Sequence, residues 1–128
     1  MPDLSDTDIH LHFEFENLVL EGYLNRIHAP LLVEEIKFRL PFDGKAALMR
    51  SEMQITLGIS KGAAKPTNDV KKGDISYIPL GDALCIYLED QHTYSKVNIL
   101  GKITSSEEEI ALLKNVRRGS SVHIKVKS

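Results

Sequence analysis

The chain has 128 residues, and 16 Lys and Arg against 18 Asp and Glu give a formal net charge of −2 with histidine neutral. Hydrophobic residues make up 42% of the chain and charged residues 27%, which is ordinary for a globular protein and excludes wholesale disorder. This length predicts one domain with one hydrophobic core, and the near-neutral charge argues against a dedicated nucleic-acid binder.

The cysteine count and the apolar runs bear on the cellular compartment. Cys85 is the single cysteine, so the chain cannot form an intramolecular disulfide or a zinc site built from several cysteines. The polar, acidic N-terminus is unlike a signal peptide, and the apolar runs fall far short of the roughly 20 residues that span a bilayer. We therefore expect a cytoplasmic protein with a flexible terminus over residues 1–7 and one domain over residues 8–128.

Alternating apolar and polar residues predict two strands at the start of the chain. Every second residue of Ile9–Phe15 is apolar, which is typical of a strand with one buried face. A second strand is predicted over Leu18–Leu24, and Asn17 supplies the turn of a hairpin.

An amphipathic helix is predicted after this hairpin. Pro30 is well suited to a first helical turn, and Pro41 ends the helix because the residue before a proline disfavours helical backbone. Helical spacing places these apolar residues on one face: Ala29, Leu32, Val33, Ile36 and Leu40.

The middle of the chain predicts strands and one long loop. Phe42–Gly44 has the composition of a turn, and strands are predicted over Lys45–Arg50 and Met53–Ile59. Ser60–Gly73 shows no periodicity, which predicts a long loop, either a solvated connector or a flap that contacts anions. Its lysines are Lys61, Lys65, Lys71 and Lys72.

Three further strands are predicted in the second half of the chain. They are a short strand over Ile75–Pro79, a central strand over Ala83–Glu89 and, after a polar loop at Asp90–Ser95, a strand over Lys96–Ile103. Alternation leaves open which face of the central strand is core. Gly101 inside the last of these strands indicates a bulge or a close backbone approach.

The C-terminal part predicts a second helix and a final strand. Ser106 and Glu109 form a capping-box pattern at the helix start, and Gly119 suits its end. Val122–Val126 then alternates as a strand. About eight strands and two helices, with no helical crossovers between strands, predict a closed antiparallel β-barrel with two capping helices.

Several motifs of this sequence resemble cyclophilins, and more closely a prokaryotic branch of small cyclophilin-like proteins of largely unknown function. Ala29-Pro30 resembles the start of the first cyclophilin helix, and Asn98–Ile103 resembles the strand before the second helix. The prokaryotic branch is indicated by Leu40-Pro41, Gly73–Tyr77 and Ala83–Ile86. The resemblance implies a mainly β fold, an eight-stranded cyclophilin-like barrel, with a ligand groove on its side.

The same resemblance suggests residues for this groove. Arg50 corresponds to the catalytic arginine of prolyl-isomerising cyclophilins, and Gln54 lies near their groove glutamine. His92 falls near the position of their groove tryptophan, and this chain has no tryptophan. Tyrosines suit proline or ring ligands, so Tyr77 and Tyr87, together with Tyr94, are candidates to line the groove.

These residues lead to three hypotheses of function. The first is a binding protein that takes a peptide or a small ligand in the groove. The second is a weak peptidyl-prolyl isomerase with Arg50 as its polar catalytic group. The third is a subunit or interaction domain whose groove a partner covers. We expect no cofactor, no nucleic acid and no membrane as partners, and the sequence leaves a homodimer open.

Other reactive side chains have simpler interpretations. If the first and last strands pair, His10, His12 and His123 could cluster near Glu14 and bind Zn²⁺, but a merely polar barrel face is favoured and no metal site is expected. Cys85 in an apolar strand is expected to be an inert thiol. Turn positions are the expected role of four aspartates: Asp43, Asp74, Asp82 and Asp90.

Overall fold

A computed structural model of the protein describes residues 7–61 and 66–127. The flexible segment expected over residues 1–7 lies outside the described residues, except for Thr7. In chain order the elements are β1 (Asp8–Glu14), β2 (Val19–Asn25), α1 (Pro30–Arg39), β3 (Phe42–Met49), β4 (Glu52–Thr56), β5 (Thr67–Val70), β6 (Asp74–Ile78), β7 (Ala83–Tyr87), β8 (Gln91–Ile103), α2 (Glu107–Ala111) with a 3₁₀ turn at Leu112–Asn115, and β9 (Ser121–Val126).

Eight of the strands form a closed antiparallel barrel. The strand order is β2-β1-β9-β3-β4-β7-β6-β8, and a further pairing of β2 with β8 closes the ring. The ninth strand, β5, pairs with β8 outside the ring. The predicted eight-stranded antiparallel barrel with two helices is therefore confirmed.

The first hairpin follows directly from the alternation of its sequence. β1 pairs antiparallel with β2, and the side chains of Leu11 and Phe13 are fully buried inside the barrel. Leu20 and Leu24 of β2 are buried in the same core. The polar residues between them face outward, as a period of two requires.

Both helices contribute apolar residues to the core of the barrel. Leu32, Val33 and Ile36 of α1 are buried, and Ile110 of α2 joins the same cluster. Ser106 and Glu109 form the predicted capping box, each bonding to the backbone N–H of the other. None of the helices within residues 7–61 and 66–127 is long and apolar enough to cross a membrane.

The predicted turn at Phe42–Gly44 is wrong, because these residues begin β3. Phe42 lies opposite Ile124, and Gly44 lies opposite Val122. A Cβ at Gly44 would lie 2.6 Å from the carbonyl oxygen of Thr56, so the glycine permits a close approach between backbones. The partner in β9 is distant in sequence and could not be read from local composition.

Two of the predicted loops also contain strand residues. β5 lies within the expected Ser60–Gly73 loop, and β8 already begins at Gln91 within the expected Asp90–Ser95 loop. The two segments pair with each other, and only Val70 of β5 is buried, so neither shows apolar alternation. Residues 62–65, including Lys65 of the lysine-rich loop, lie outside the described residues.

The central strand β7 has two buried faces. Leu84 and Ile86 point into the barrel core, which answers the question that alternation left open. Cys85 and Tyr87 point the other way, into a second small cluster on the outside of the barrel. The other buried members of this outer cluster are Val70, Ile78 and Val97. The covering residues come from β5, the end of β6 and the first half of β8.

Gly101 lies where β8 closes the barrel. It pairs with Leu24 of β2 and with Ile75 of β6, and the register with β6 shifts directly after this point. A Cβ at Gly101 would overlap the carbonyl oxygen of Tyr23. Of the two alternatives expected from the sequence, the close backbone approach is confirmed here, and a register shift accompanies it.

Candidate functional site

A groove with a volume of about 390 Å³ lies on the outer side of the barrel. One wall is the β3–β4 turn and the outward face of β4, and the opposite wall is the start of β8. The turn between β6 and β7 closes one end. The residues that line the groove are Met49, Arg50, Glu52, Gln54, Ile78, Leu80, Gly81, Gln91, His92, Thr93, Tyr94 and Ser95.

Arg50 occupies the tight turn between β3 and β4 at the edge of this groove. Met49 and Glu52 pair across the turn, so Arg50 lies just beyond the strand that was predicted to include it. Its φ is 60°, in the left-handed region, which glycine adopts freely and which most other residues except asparagine and aspartate disfavour. Arg50 lines the groove, and within the described part of the chain it forms no ion pair or side-chain hydrogen bond, so all donors of its guanidinium are available.

We predict that Arg50→Gly stabilises the protein by about 0.5–1 kcal/mol. The left-handed region costs an ordinary residue about 1–2 kcal/mol, which glycine does not pay. The greater entropy of glycine in the unfolded chain cancels about half of this gain in stability. Urea unfolding followed by circular dichroism measures the change. Arg118→Gly is the control, because Arg118 has no positive φ and should lose stability. A lower stability of Arg50→Gly than of the wild type would contradict this account of the turn.

Glu52 and Gln54 project from the outward face of β4, while Met53 and Ile55, which alternate with them, are buried in the barrel. The amide Nε2 of Gln54 donates to Oε2 of Glu52 over 3.3 Å, and the Cys85 thiol donates to the same oxygen over 3.6 Å. Burial and then the neighbouring Glu52 carboxylate raise the pKa of Cys85, which fits the expected inert thiol. These neutral donors orient the carboxylate of Glu52 in the wall that it shares with Arg50.

The opposite wall is formed by the first residues of β8. The ring Nδ1 of His92 lies 3.0 Å from Oδ1 of Asp69, which joins this wall to β5. Gln91 donates from Nε2 to the carbonyl oxygen of Ser51 over 3.2 Å and so connects the two walls of the groove. Tyr94 is 99% exposed at the rim.

Two of the tyrosines expected in the groove are elsewhere. Tyr77 and Tyr87 are fully buried and do not line it. The hydroxyl of Tyr87 lies 2.8 Å from Oγ of Ser76 in the outer cluster, and burial raises the pKa of Tyr87. Alternation places Tyr87 on the same face of β7 as Cys85, and β5 and β8 cover that face, whereas Tyr77 lies in the barrel core. Tyr94 takes the exposed position instead.

Asp82 fixes the end of the groove formed by the β6–β7 turn. Its Oδ1 accepts hydrogen bonds from the Tyr77 hydroxyl over 2.7 Å and from the backbone N–H groups of Ile59 and Ser60 over 3.0 Å each. Burial acts to raise the pKa of Asp82, but the hydrogen bonds together outweigh it and lower that pKa. The sequence predicted a turn residue here, and the structure adds an anchor for the segment after β4.

The three histidines of the barrel face have separate partners. β1 and β9 do pair, but His12 contacts Glu21 over 3.1 Å and His123 contacts Asp43 over 2.7 Å. The ring of His10 lies against the ring of Tyr23, with centroids 6.3 Å apart. In the part of the chain that the structure describes, no three His, Cys, Asp or Glu side chains are grouped to hold a metal ion.

Comparisons with known proteins agree with this architecture. The solution structure of the hypothetical protein AF2241 from Archaeoglobus fulgidus is 25% identical, with a TM-score of 0.76, over 94% of this chain and 96% of that one. A structure of McbB in complex with tryptophan is 14% identical, with a TM-score of 0.73, over 92% of this chain and 45% of that one, so the likeness concerns the fold alone.

Sequence comparison gives the family. No curated protein matches the chain at a significant level. A family model described as Cyclophilin-like matches residues 8–125, which include all nine strands of the structure except the last residue of β9. The chain therefore belongs to the cyclophilin-like family.

Proposed function

We propose that the protein binds a peptide or a small ligand in the groove between β4 and the start of β8. The observation that carries this proposal is the convergence of side chains from separate segments on one concave space. Arg50 comes from a turn, Gln54 from β4 and His92 from β8, and all three face the same volume of about 390 Å³. Ligand sites are typically concave, with a few polar groups that fix orientation.

The rim of the groove supports ligand binding through its exposed apolar side chains. Leu80 is 78% exposed on the β6–β7 turn, and Tyr94 is 99% exposed on the facing wall. When a ligand covers large apolar side chains around a concavity, the burial of their surface from water makes the free energy of binding more favourable. Arg50 adds a planar set of donors that suits a carbonyl or carboxylate oxygen of the ligand.

The test is a titration of the ¹⁵N-labelled protein with a short peptide, N-acetylated and C-amidated, that contains one Xaa-Pro bond, followed by amide chemical shifts. We expect shifts in residues 49–54, 78–81 and 91–95. Arg50→Ala should weaken binding about tenfold, the effect of losing one charge-assisted hydrogen bond. Arg118→Ala, outside the groove, should leave binding unchanged. Shifts that avoid the three segments, or equal affinity of both variants, would contradict the proposal for this probe.

The same sample tests the alternative of a weak peptidyl-prolyl isomerase, which the position of Arg50 at the groove favours. Uncatalysed Xaa-Pro exchange takes tens of seconds or longer, so cis–trans cross peaks at sub-second mixing times require catalysis. Cross peaks that vanish in Arg50→Ala would assign this activity. Binding of the peptide without cross peaks would exclude isomerase activity on this peptide and support the binding function alone.

The third alternative is an interaction domain whose groove a partner covers, including a second copy of this chain. Sedimentation of the wild type and of a Tyr94→Ala, Leu80→Ala variant separates it from the others. A dimer that is lost in the variant would assign the rim to self-association.

We also propose a reducing compartment such as the cytoplasm, which the free, buried thiol of Cys85 supports.

A further inference from the structure

We propose that the ligand of the groove is a small zwitterion with an apolar body, of the class of free α-amino acids and dipeptides. This inference rests on the proposed binding function and names the chemistry of its ligand. It is carried by two opposite charges, Arg50 and Glu52, that line one wall of the groove and are not neutralised by each other.

The two charges lie side by side at the end of the β3–β4 hairpin. Arg50 is in the turn, Glu52 is the first residue of β4, and within residues 7–61 and 66–127 neither forms an ion pair. His92, the other ionisable group among the lining residues apart from Tyr94, is already paired with Asp69. A ligand with one positive and one negative group can therefore satisfy both unmatched charges at once.

Glu52 is better placed for an ammonium group than an ordinary surface glutamate. It is partly buried, and its Oε2 accepts from the neutral groups of Gln54 and Cys85. These donors orient the carboxylate without cancelling its charge, and its second oxygen, Oε1, has no partner among the described residues. A primary ammonium supplies three donors for such an acceptor.

The rest of the groove limits the size and polarity of the ligand. Met49, Ile78 and Leu80 contribute apolar surface to its lining. A volume of about 390 Å³ admits one large amino acid or a dipeptide rather than a folded partner. An apolar side chain on the ligand would cover this surface while its two charged groups contact the wall.

The experiment is a calorimetric titration with four probes of one shape: L-phenylalanine, N-acetyl-L-phenylalanine, L-phenylalaninamide and N-acetyl-L-phenylalaninamide. We expect the zwitterion to bind about tenfold more tightly than either singly charged probe, and the neutral probe to bind most weakly. L-Leucyl-L-phenylalanine, added as a fifth probe, distinguishes a dipeptide from a free amino acid.

Two variants that each remove one charge test the role of that charge. Arg50→Gln should abolish the preference for a free carboxylate, and Glu52→Gln should abolish the preference for a free ammonium. Arg118→Gln and Glu108→Gln, at exposed positions outside the groove, serve as matched controls. Unchanged preferences in both groove variants would overturn the inference.

The outcomes separate this inference from the proposed function. Equal affinity of the four phenylalanine probes would overturn the inference of a zwitterionic ligand and would still support ligand binding in the groove. Binding of the proline peptide in the groove without binding of any zwitterion would do the same. If neither the peptide nor any zwitterion perturbs the groove residues, both proposals are contradicted.

Discussion

Replacing Gly101 by alanine is expected to destabilise the protein by more than about 3 kcal/mol, beyond the usual cost of an overpacked site. The new Cβ would overlap the carbonyl oxygen of Tyr23 and lie 2.7 Å from its carbonyl carbon and 2.9 Å from Cα of Leu24. All of these are backbone atoms of β2, which cannot rotate away as a side chain can. The strand would have to separate from β8, and this pairing closes the barrel.

Guanidinium unfolding followed by circular dichroism measures this effect, and amide hydrogen exchange at residues 22–24 locates it. Gly81→Ala is the matched control, because its nearest neighbour would be the side-chain oxygen of Gln54 at 3.9 Å. We expect the control to change stability by less than about 0.5 kcal/mol. If the two variants are equally stable, the tight closure between β2 and β8 is not a feature of the protein.

Asp82→Ala is expected to destabilise the protein by about 3 kcal/mol, since three hydrogen bonds to one charged oxygen are lost and alanine is strained at positive φ. The φ of Asp82 is 49°, which aspartate and asparagine tolerate better than alanine. The substitution also removes the acceptor of the buried Tyr77 hydroxyl and of the N–H groups of Ile59 and Ser60.

Asp82→Asn separates the charge from the shape of this anchor. The amide oxygen keeps the position of Oδ1, so we expect a loss of only about 1 kcal/mol at about pH 7. The folded-state pKa of Asp82 is lowered, so its ionisation stabilises the fold above the unfolded pKa of about 4, and this contribution disappears as pH falls through the folded pKa. The stability difference between wild type and Asp82→Asn should therefore shrink towards about pH 3.

Chemical unfolding of both proteins at several pH values between about 7 and about 3 checks this prediction. Other carboxylates titrate in the same range, but they are common to both proteins and cancel in the difference. A difference that stays constant or grows as the pH is lowered would show that Asp82 is not stabilised in its ionised form.

Much of the fold could be predicted because most strands bury one face and show it in the sequence. The alternation of Ile9–Phe15, the capping box at Ser106 and the close approach at Gly101 each have a local cause that one sequence displays. The sequences of Phe42–Gly44 and Thr67–Val70 show no such local signal of a strand. They are strands because β9 and β8 lie beside them, and those partners are set by the closed topology.

The groove was less predictable, since its residues come from turns and strand ends. Resemblance to cyclophilins pointed to Arg50, Gln54 and His92, which all line the cavity. It did not point to Glu52, although its place two residues before Gln54 on an alternating strand could have indicated the same outward face. Tyr77 and Tyr87 were wrongly assigned to the groove because their burial depends on long-range packing: Tyr77 lies in the barrel core, and β5 and β8 cover Tyr87.

The place of β9 in the barrel also determines when a newly made chain can finish folding. β9 lies between β1 and β3, although it follows both by most of the length of the chain. On the ribosome the β1–β2 hairpin can form early, but β1 and β3 each keep one unpaired edge until residues 121–126 have emerged. Nascent chains that stall before this point expose two strand edges, which makes them targets for chaperones and prone to aggregation.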